Sequence, residues 1–139
     1  MKRRDFLKTS ALVALMPVAA FAAEGNWTQY RPGVVDAALK DGKTVFLDFS
    51  AHWCGTCKAQ ERRINGLMEE NAAYVENVLF VRVDWDAYRN AAITFDLEIP
   101  RRSTLVVLKG DEELGRIVAG TGYDQIKALM DTALAAATS

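Results

Sequence analysis

Two cysteines, a histidine and an unexpected carboxylate fall in one short stretch, FLDFSAHWCGTCKAQE, residues 46–61. Cys54 and Cys57 are the only cysteines of the chain, and His52 is its only histidine. C-x-x-C spacing serves haem attachment, zinc binding, an inert cross-link or thiol–disulfide exchange. Haem attachment of the c type needs a histidine directly after the second cysteine, where this chain has Lys58. A closed zinc site needs four ligands, so two cysteines and His52 would require a carboxylate or a partner chain to complete it. A cross-link across so short a loop removes little entropy from the unfolded chain. Thiol–disulfide exchange is the chemistry these residues supply most fully. A Cu(I)- or Zn(II)-binding module or metallochaperone is its rival.

Exchange demands particular surroundings. A helix that begins at the pair puts Cys54 at its N-terminus, where unpaired N–H groups and the helix dipole favour a thiolate. Such positions lower a cysteine pKa from about 8.5 into the range of roughly 3.5–7.5. Cys54 would then be accessible and attack a disulfide, and Cys57, tucked behind it, would resolve the mixed intermediate. Asp48 stands in TVFLDFS, an apolar run of the kind covered on both faces, where an ionised carboxylate is costly. It lies either near the strand's end with access to water, or desolvated, with a raised pKa and able to take the Cys57 proton. His52 reads as an exposed loop residue; as a cation it would favour the Cys54 thiolate.

The elements that must position these groups follow from patterning. Pro32 suits the first turn of a short helix whose apolar face is Val34, Val35, Ala38 and Leu39, stopped by Asp41-Gly42. Thr44–Ser50 reads as a buried strand, and a helix runs from the cysteines to about Asn71. Val78–Trp85 is a second buried strand, and residues 87–96 include a short helix. Thr104–Lys109 and Glu113–Ala119 form a hairpin around Gly110-Asp111-Glu112. Thr121 and Asp124 have the spacing of a capping box before a helix carrying Ile126, Leu129, Met130, Ala133 and Leu134. Residues 24–31 read as a loose lead-in. Strands joined by helical crossovers and ended by a hairpin and a helix predict an α/β fold, a mixed sheet with helices on both faces.

DFSAHWCGTCK, with Asp48 six residues before Cys54 and Trp53 directly before the pair, resembles the thioredoxin family. LKDGKTVFLDFSAHWCGTCKAQE, with Glu61 following the motif, looks most like the branch containing the C-terminal domain of the periplasmic disulfide reductase DsbD. The resemblance implies a thioredoxin fold with a sheet of about four to five strands. It also implies a redox-active Cys54–Cys57 disulfide, no other cofactor, and Asp48 assisting Cys57. Arg82 falls where the family has a lysine near that acid, and it reads equally as a solvated strand-end charge. Family members carry a cis-proline opposite the cysteines. In LEIPRRSTLVVLK the ungapped register puts Ser103 there, while the alternative uses Pro100 and inserts Arg101 to Ser103. Trp53, Pro100, Arg102 and Ser103 are therefore the candidate substrate-binding residues. A loop changed in this way would alter partner choice and open the site.

At 139 residues the chain holds one domain. Half its residues are hydrophobic, a quarter are charged, and a net charge of −1 gives no electrostatic case for nucleic acid or anionic membranes. The N-terminus differs from the rest. Lys2, Arg3, Arg4 and Lys8 precede an apolar run, Ala11 to Ala23, that is too short to span a bilayer. Ala20-Phe21-Ala22 fits an export cleavage site, so residues 1–22 read as a signal peptide and 23–139 as the thioredoxin-like domain. KRRDFLK resembles a twin-arginine (Tat) signal, with a general secretory signal as the alternative. The expected address is the periplasm. Disulfide-containing periplasmic proteins are the expected partners, and a membrane electron donor of DsbD type would recharge the dithiol.

Overall fold

A computed structural model describes residues 25–139; the segment read as a signal peptide lies outside them. The chain builds a five-stranded sheet from β1 (Thr28–Gln29), β2 (Thr44–Ser50), β3 (Val78–Asp84), β4 (Thr104–Lys109) and β5 (Glu112–Val118). Their spatial order is β1-β3-β2-β4-β5. β2 pairs in parallel with β3 and antiparallel with β4, and β4 pairs antiparallel with β5. The sheet is mixed, as the element order predicts.

The helices are α1 (Val34–Lys40), α2 (Gly55–Glu70), α3 (Ala73–Asn77), α4 (Trp85–Tyr88), α5 (Ala92–Asp96) and α6 (Tyr123–Ala137). All seven residues of β2 are buried, which is why its sequence lacks polar alternation. Val45, Leu47 and Phe49 pack with Val81, Val83 and Val106 on the face covered by α1 and α5. Phe46 joins Phe80, Leu105, Ile64, Leu67, Ile126 and Met130 on the face covered by α2, α3 and α6. Fully burying one such side chain contributes about 1.5–3 kcal/mol. By strand alternation Asp48 shares the face of Phe46 and so lies beneath α2.

Three expectations are corrected. The lead-in contains β1, which pairs in parallel with Val81 and Arg82 and is anchored by buried Trp27 against Phe80. A two-residue strand is too short to show periodicity. The Thr121–Asp124 capping box does not form, because the helix starts at Tyr123 with Gly122 as its N-cap. Thr121 therefore lies one residue outside the capping position, and Asp124 serves only as a first-turn charge. Trp85 is not the end of a strand but the start of α4, which Asp84 caps by accepting from the Asp86 N–H. No helix among the described residues is long and apolar enough to cross a membrane.

Candidate active site

Cys54 is the N-cap of α2, and its sulfur accepts a hydrogen bond from the Cys57 backbone N–H at 3.2 Å. A side chain in this position normally offers an oxygen; here the sulfur fills the same role and gains most as a thiolate. Burial pushes the Cys54 thiol up, but hydrogen bonds from the Cys57 side chain, Ser103 and the Cys57 N–H outweigh it, together with the Arg102 side chain. The net result is a pKa lowered to about 7. Cys57 moves the other way, raised by burial and by its hydrogen bond with Cys54. The pair is thus split into a ready nucleophile and a protonated partner. Both cysteines are free thiols.

Cys54 is less accessible than the motif suggests. It is only 6% exposed and Cys57 3%, and both pack with Ala51 and Trp85. What covers them is the segment before β4. The Ser103 hydroxyl lies 3.3 Å from the Cys54 sulfur and 2.8 Å from the Cys57 sulfur. The Arg102 guanidinium stacks 4.3 Å above the Trp53 ring. The expectation of an opened site is therefore reversed, because this loop closes over the dithiol. Ser103, not Pro100, meets the cysteines. Pro100 is exposed and lies outside their packing cluster.

The loop is held firmly. The Ser103 N–H donates to the Phe49 carbonyl at 2.7 Å, and its carbonyl accepts from the Ala119 N–H at 2.8 Å. These bonds extend the β2–β4 and β4–β5 ladders by one step. Ser103 has φ +67°, in the left-handed region that few side chains adopt. The described peptide bonds are all trans.

Asp48 is fully buried, and neither carboxylate oxygen meets a hydrogen-bond donor among the described residues. Burial pushes its carboxyl up to about 7, with Arg82 pulling it down and Glu61 and Cys54 adding to the rise. Arg82 is Asp48's neighbour in the β2–β3 register and bonds Glu61 at 2.7 Å. With its side chain 15% exposed, it is not a solvated strand-end charge. His52 is exposed and lines a shallow cleft of about 190 Å³ with Gln29, Ser50, Arg82 and Asp84. Among the described residues no three His, Cys, Asp or Glu side chains are grouped to hold a metal ion.

A dithiol at a helix start above a buried acid, on this sheet, is matched by known proteins. A thioredoxin family model covers residues 15–132. The chain belongs to the thioredoxin family. Thioredoxin H2-1 of Oryza sativa subsp. japonica is 33% identical over 122 residues, 88% of this chain and 80% of its own length. An H-type thioredoxin of Brassica campestris is 34% identical over 120 residues, 86% and 89% of the two chains. Among solved structures, Trxlp from Edwardsiella tarda superposes with a TM-score of 0.62 at 27% identity, covering 76% of this chain and 95% of its own. The short form of spinach chloroplast thioredoxin f gives 0.62 at 27% identity, covering 77% and 92%. This thioredoxin-like chain is accordingly a thiol–disulfide oxidoreductase with Cys54 and Cys57 as its close pair.

Sequence reasoning missed three contributors. Gln60 is fully buried and donates to the carbonyls of Ser103 (3.0 Å) and Gly120 (2.8 Å). Its signal was present, since it follows Cys57 by three residues and so shares the covered face of α2. Asp86 accepts the Trp53 indole N–H at 2.9 Å, and Trp85 packs on the cysteines. No local spacing links these two to the motif.

Proposed function

We propose that this thioredoxin-family protein is an exported, periplasmic protein-disulfide reductase in which Cys54 attacks, Cys57 resolves and Asp48 manages the proton. The observation that carries it is the split dithiol above a desolvated carboxyl: Cys54 lowered to about 7, Cys57 raised, and Asp48 raised to about 7. The Cys54 thiolate attacks a substrate disulfide, forming a mixed disulfide and expelling the first substrate thiolate, which takes a proton from solvent. Cys57 gives its proton to Asp48 and attacks the Cys54 sulfur. The Cys54–Cys57 disulfide forms and the second substrate thiolate leaves, protonated in turn. The substrate gains two electrons and the dithiol loses two.

Trp53, 52% exposed beneath Arg102, gives an incoming chain an apolar platform beside the nucleophile. Export and the periplasmic address are supported by the basic, apolar and small-residue succession of residues 1–22, with KRRDFLK favouring the Tat route. The reductive direction, with a membrane donor of DsbD type, is supported by the likeness of residues 39–61 to that branch.

Insulin reduction tests the activity, and Cys54→Ser is expected to abolish it. Cys57→Ser is expected to trap periplasmic proteins as mixed disulfides, and capture of none would sink substrate exchange through Cys54. A reduction potential near −120 mV, that of a strong oxidant, would overturn the direction. Arg3→Lys with Arg4→Lys is expected to retain the protein in the cytoplasm, and unchanged export would point to the general secretory route.

A further inference from the structure

The serine that closes the site puts a hydroxyl where it can touch both reacting sulfurs. Its backbone is pinned on both sides, by Phe49 and by Ala119 with Gln60, so the only freedom left to the hydroxyl is rotation about the side-chain bonds. The Oγ lies 2.8 Å from one sulfur and 3.3 Å from the other, and the side chain is fully buried, away from competing water. A hydroxyl has one proton to donate and two lone pairs to accept with. Two sulfurs and one hydroxyl can therefore form a directed chain, in which one sulfur donates to Oγ while Oγ donates to the other.

We propose that the Ser103 hydroxyl is a catalytic member of the dithiol site, donating its hydrogen bond to whichever sulfur carries the negative charge and thereby stabilising the reduced form over the disulfide. The proposal rests on the dithiol chemistry of the family and not on export or on the direction of electron flow. In the resting dithiol the hydroxyl donates to the Cys54 thiolate, beside the bonds that sulfur accepts from the Cys57 side chain and the Cys57 N–H. Once Cys54 is bonded to a substrate sulfur it carries no charge and is a poor acceptor. Cys57 becomes the anionic sulfur as its proton leaves, and the hydroxyl turns to it by rotating its O–H, with no heavy atom moving. Ser103 neither gains nor loses a proton over the cycle. In the Cys54–Cys57 disulfide no sulfur is charged, so the charge-assisted bond exists only on the reduced side.

Two variants separate the hydroxyl from the backbone that carries it. Ser103→Ala removes the hydroxyl and keeps the cost of a positive φ, whereas Ser103→Gly removes the hydroxyl and relieves that cost. Each is expected to raise the midpoint of Cys54 thiolate formation by about one pH unit, a tenfold loss of thiolate below the midpoint. The midpoint is read from the pH dependence of iodoacetamide alkylation. Measured at a pH above both midpoints, each should also shift the equilibrium with glutathione about tenfold toward the protein disulfide, which corresponds to a potential about 30 mV more negative. Agreement of the two variants assigns the effect to the hydroxyl. A variant that keeps the alkylation midpoint within about 0.3 pH unit of the wild type, or the glutathione equilibrium at that high pH within about twofold, overturns the proposal, as do opposite shifts in the two. Loss of insulin reduction in Cys54→Ser is a separate result and bears only on the function proposed above.

Discussion

The two faces of the sheet bury polar groups in opposite ways. On the face covered by α1 and α5, Thr94 and Thr104 are buried, and each hydroxyl donates to a backbone carbonyl at 2.7 Å, Tyr88 and Arg101 respectively. On the face covered by α2, the Thr44 hydroxyl, both Asp48 oxygens and the Gln60 side-chain oxygen are buried without a hydrogen-bond partner among the described residues. Satisfied polar groups cost little, while unsatisfied ones cost about 1–3 kcal/mol each and more when charged. The first face meets these buried hydroxyls with its own backbone. The second leaves the Thr44 hydroxyl unmet at the far end of β2 and Asp48 and the Gln60 oxygen unmet toward the cysteines, where a carboxyl with no hydrogen-bond donor is free to exchange a proton.

The largest test of this contrast is Asp48→Asn. Release of product from a preformed mixed disulfide is expected to slow about a hundredfold at pH 7, measured by stopped-flow mixing. Resolution by the native protein should rise with pH through about 7, where Asp48 ionises, and the variant should lack that rise. Stability gives an independent reading. The folded Asp48 pKa of about 7 lies above the ordinary 3.8, so between these values the unfolded chain releases a proton that the folded chain keeps. The Asp48 contribution to native stability therefore falls as pH rises from about 4 to about 7, by on the order of 4 kcal/mol in all, and is level outside that window. Urea unfolding at pH 5 and pH 8 should show a larger drop for the native protein than for Asp48→Asn. An equal drop would place the cost elsewhere.

Thr94→Val probes the opposite face. Removing a satisfied hydroxyl from the Tyr88 carbonyl, which keeps its bond from the Ala91 N–H, is expected to cost about 1 kcal/mol, equally at pH 5 and pH 8, with insulin reduction unchanged. A pH-dependent loss would erase the distinction between the faces. The smallest expected effect is that of Glu61→Gln. Glu61 raises Asp48 and holds Arg82, which lowers it. Neutralising Glu61 should move the rising limb of resolution toward lower pH by a few tenths of a unit. A move to higher pH would show that Glu61 acts mainly by positioning Arg82.

Much of this was legible in the chain. TVFLDFS, VLFVRVD and TLVVLK carry their burial in their composition, so the central strands emerge from patterning alone. DFSAHWCGTCK placed Asp48 and both cysteines on the right elements. Short pieces were harder, because β1 and α3 are held by Trp27 and Tyr74 docking into a core built from distant residues. The cover of the site was harder still. That Ser103 reaches both sulfurs depends on where β4 meets β2, and that Arg102 stacks on Trp53 depends on a contact across 49 positions. Spacing within a motif says nothing about such meetings. Loop composition pointed to an exposed, opened site, and the ladder bonds of Ser103 produced the reverse.

Those ladder bonds have a consequence in time as well as space. Loops commonly exchange their amide hydrogens through small local openings, while the middle of a sheet exchanges only when the whole fold opens. The Ser103 amide is spent on Phe49 and its carbonyl on Ala119 and Gln60, which together tie the sheet, the cysteine helix and the approach to the last helix. Exchange at Ser103 and Ala119 should therefore be as slow as at Val106 in mid-strand, although neither residue belongs to a strand. The site has no melting point of its own, and its geometry lasts as long as the fold does.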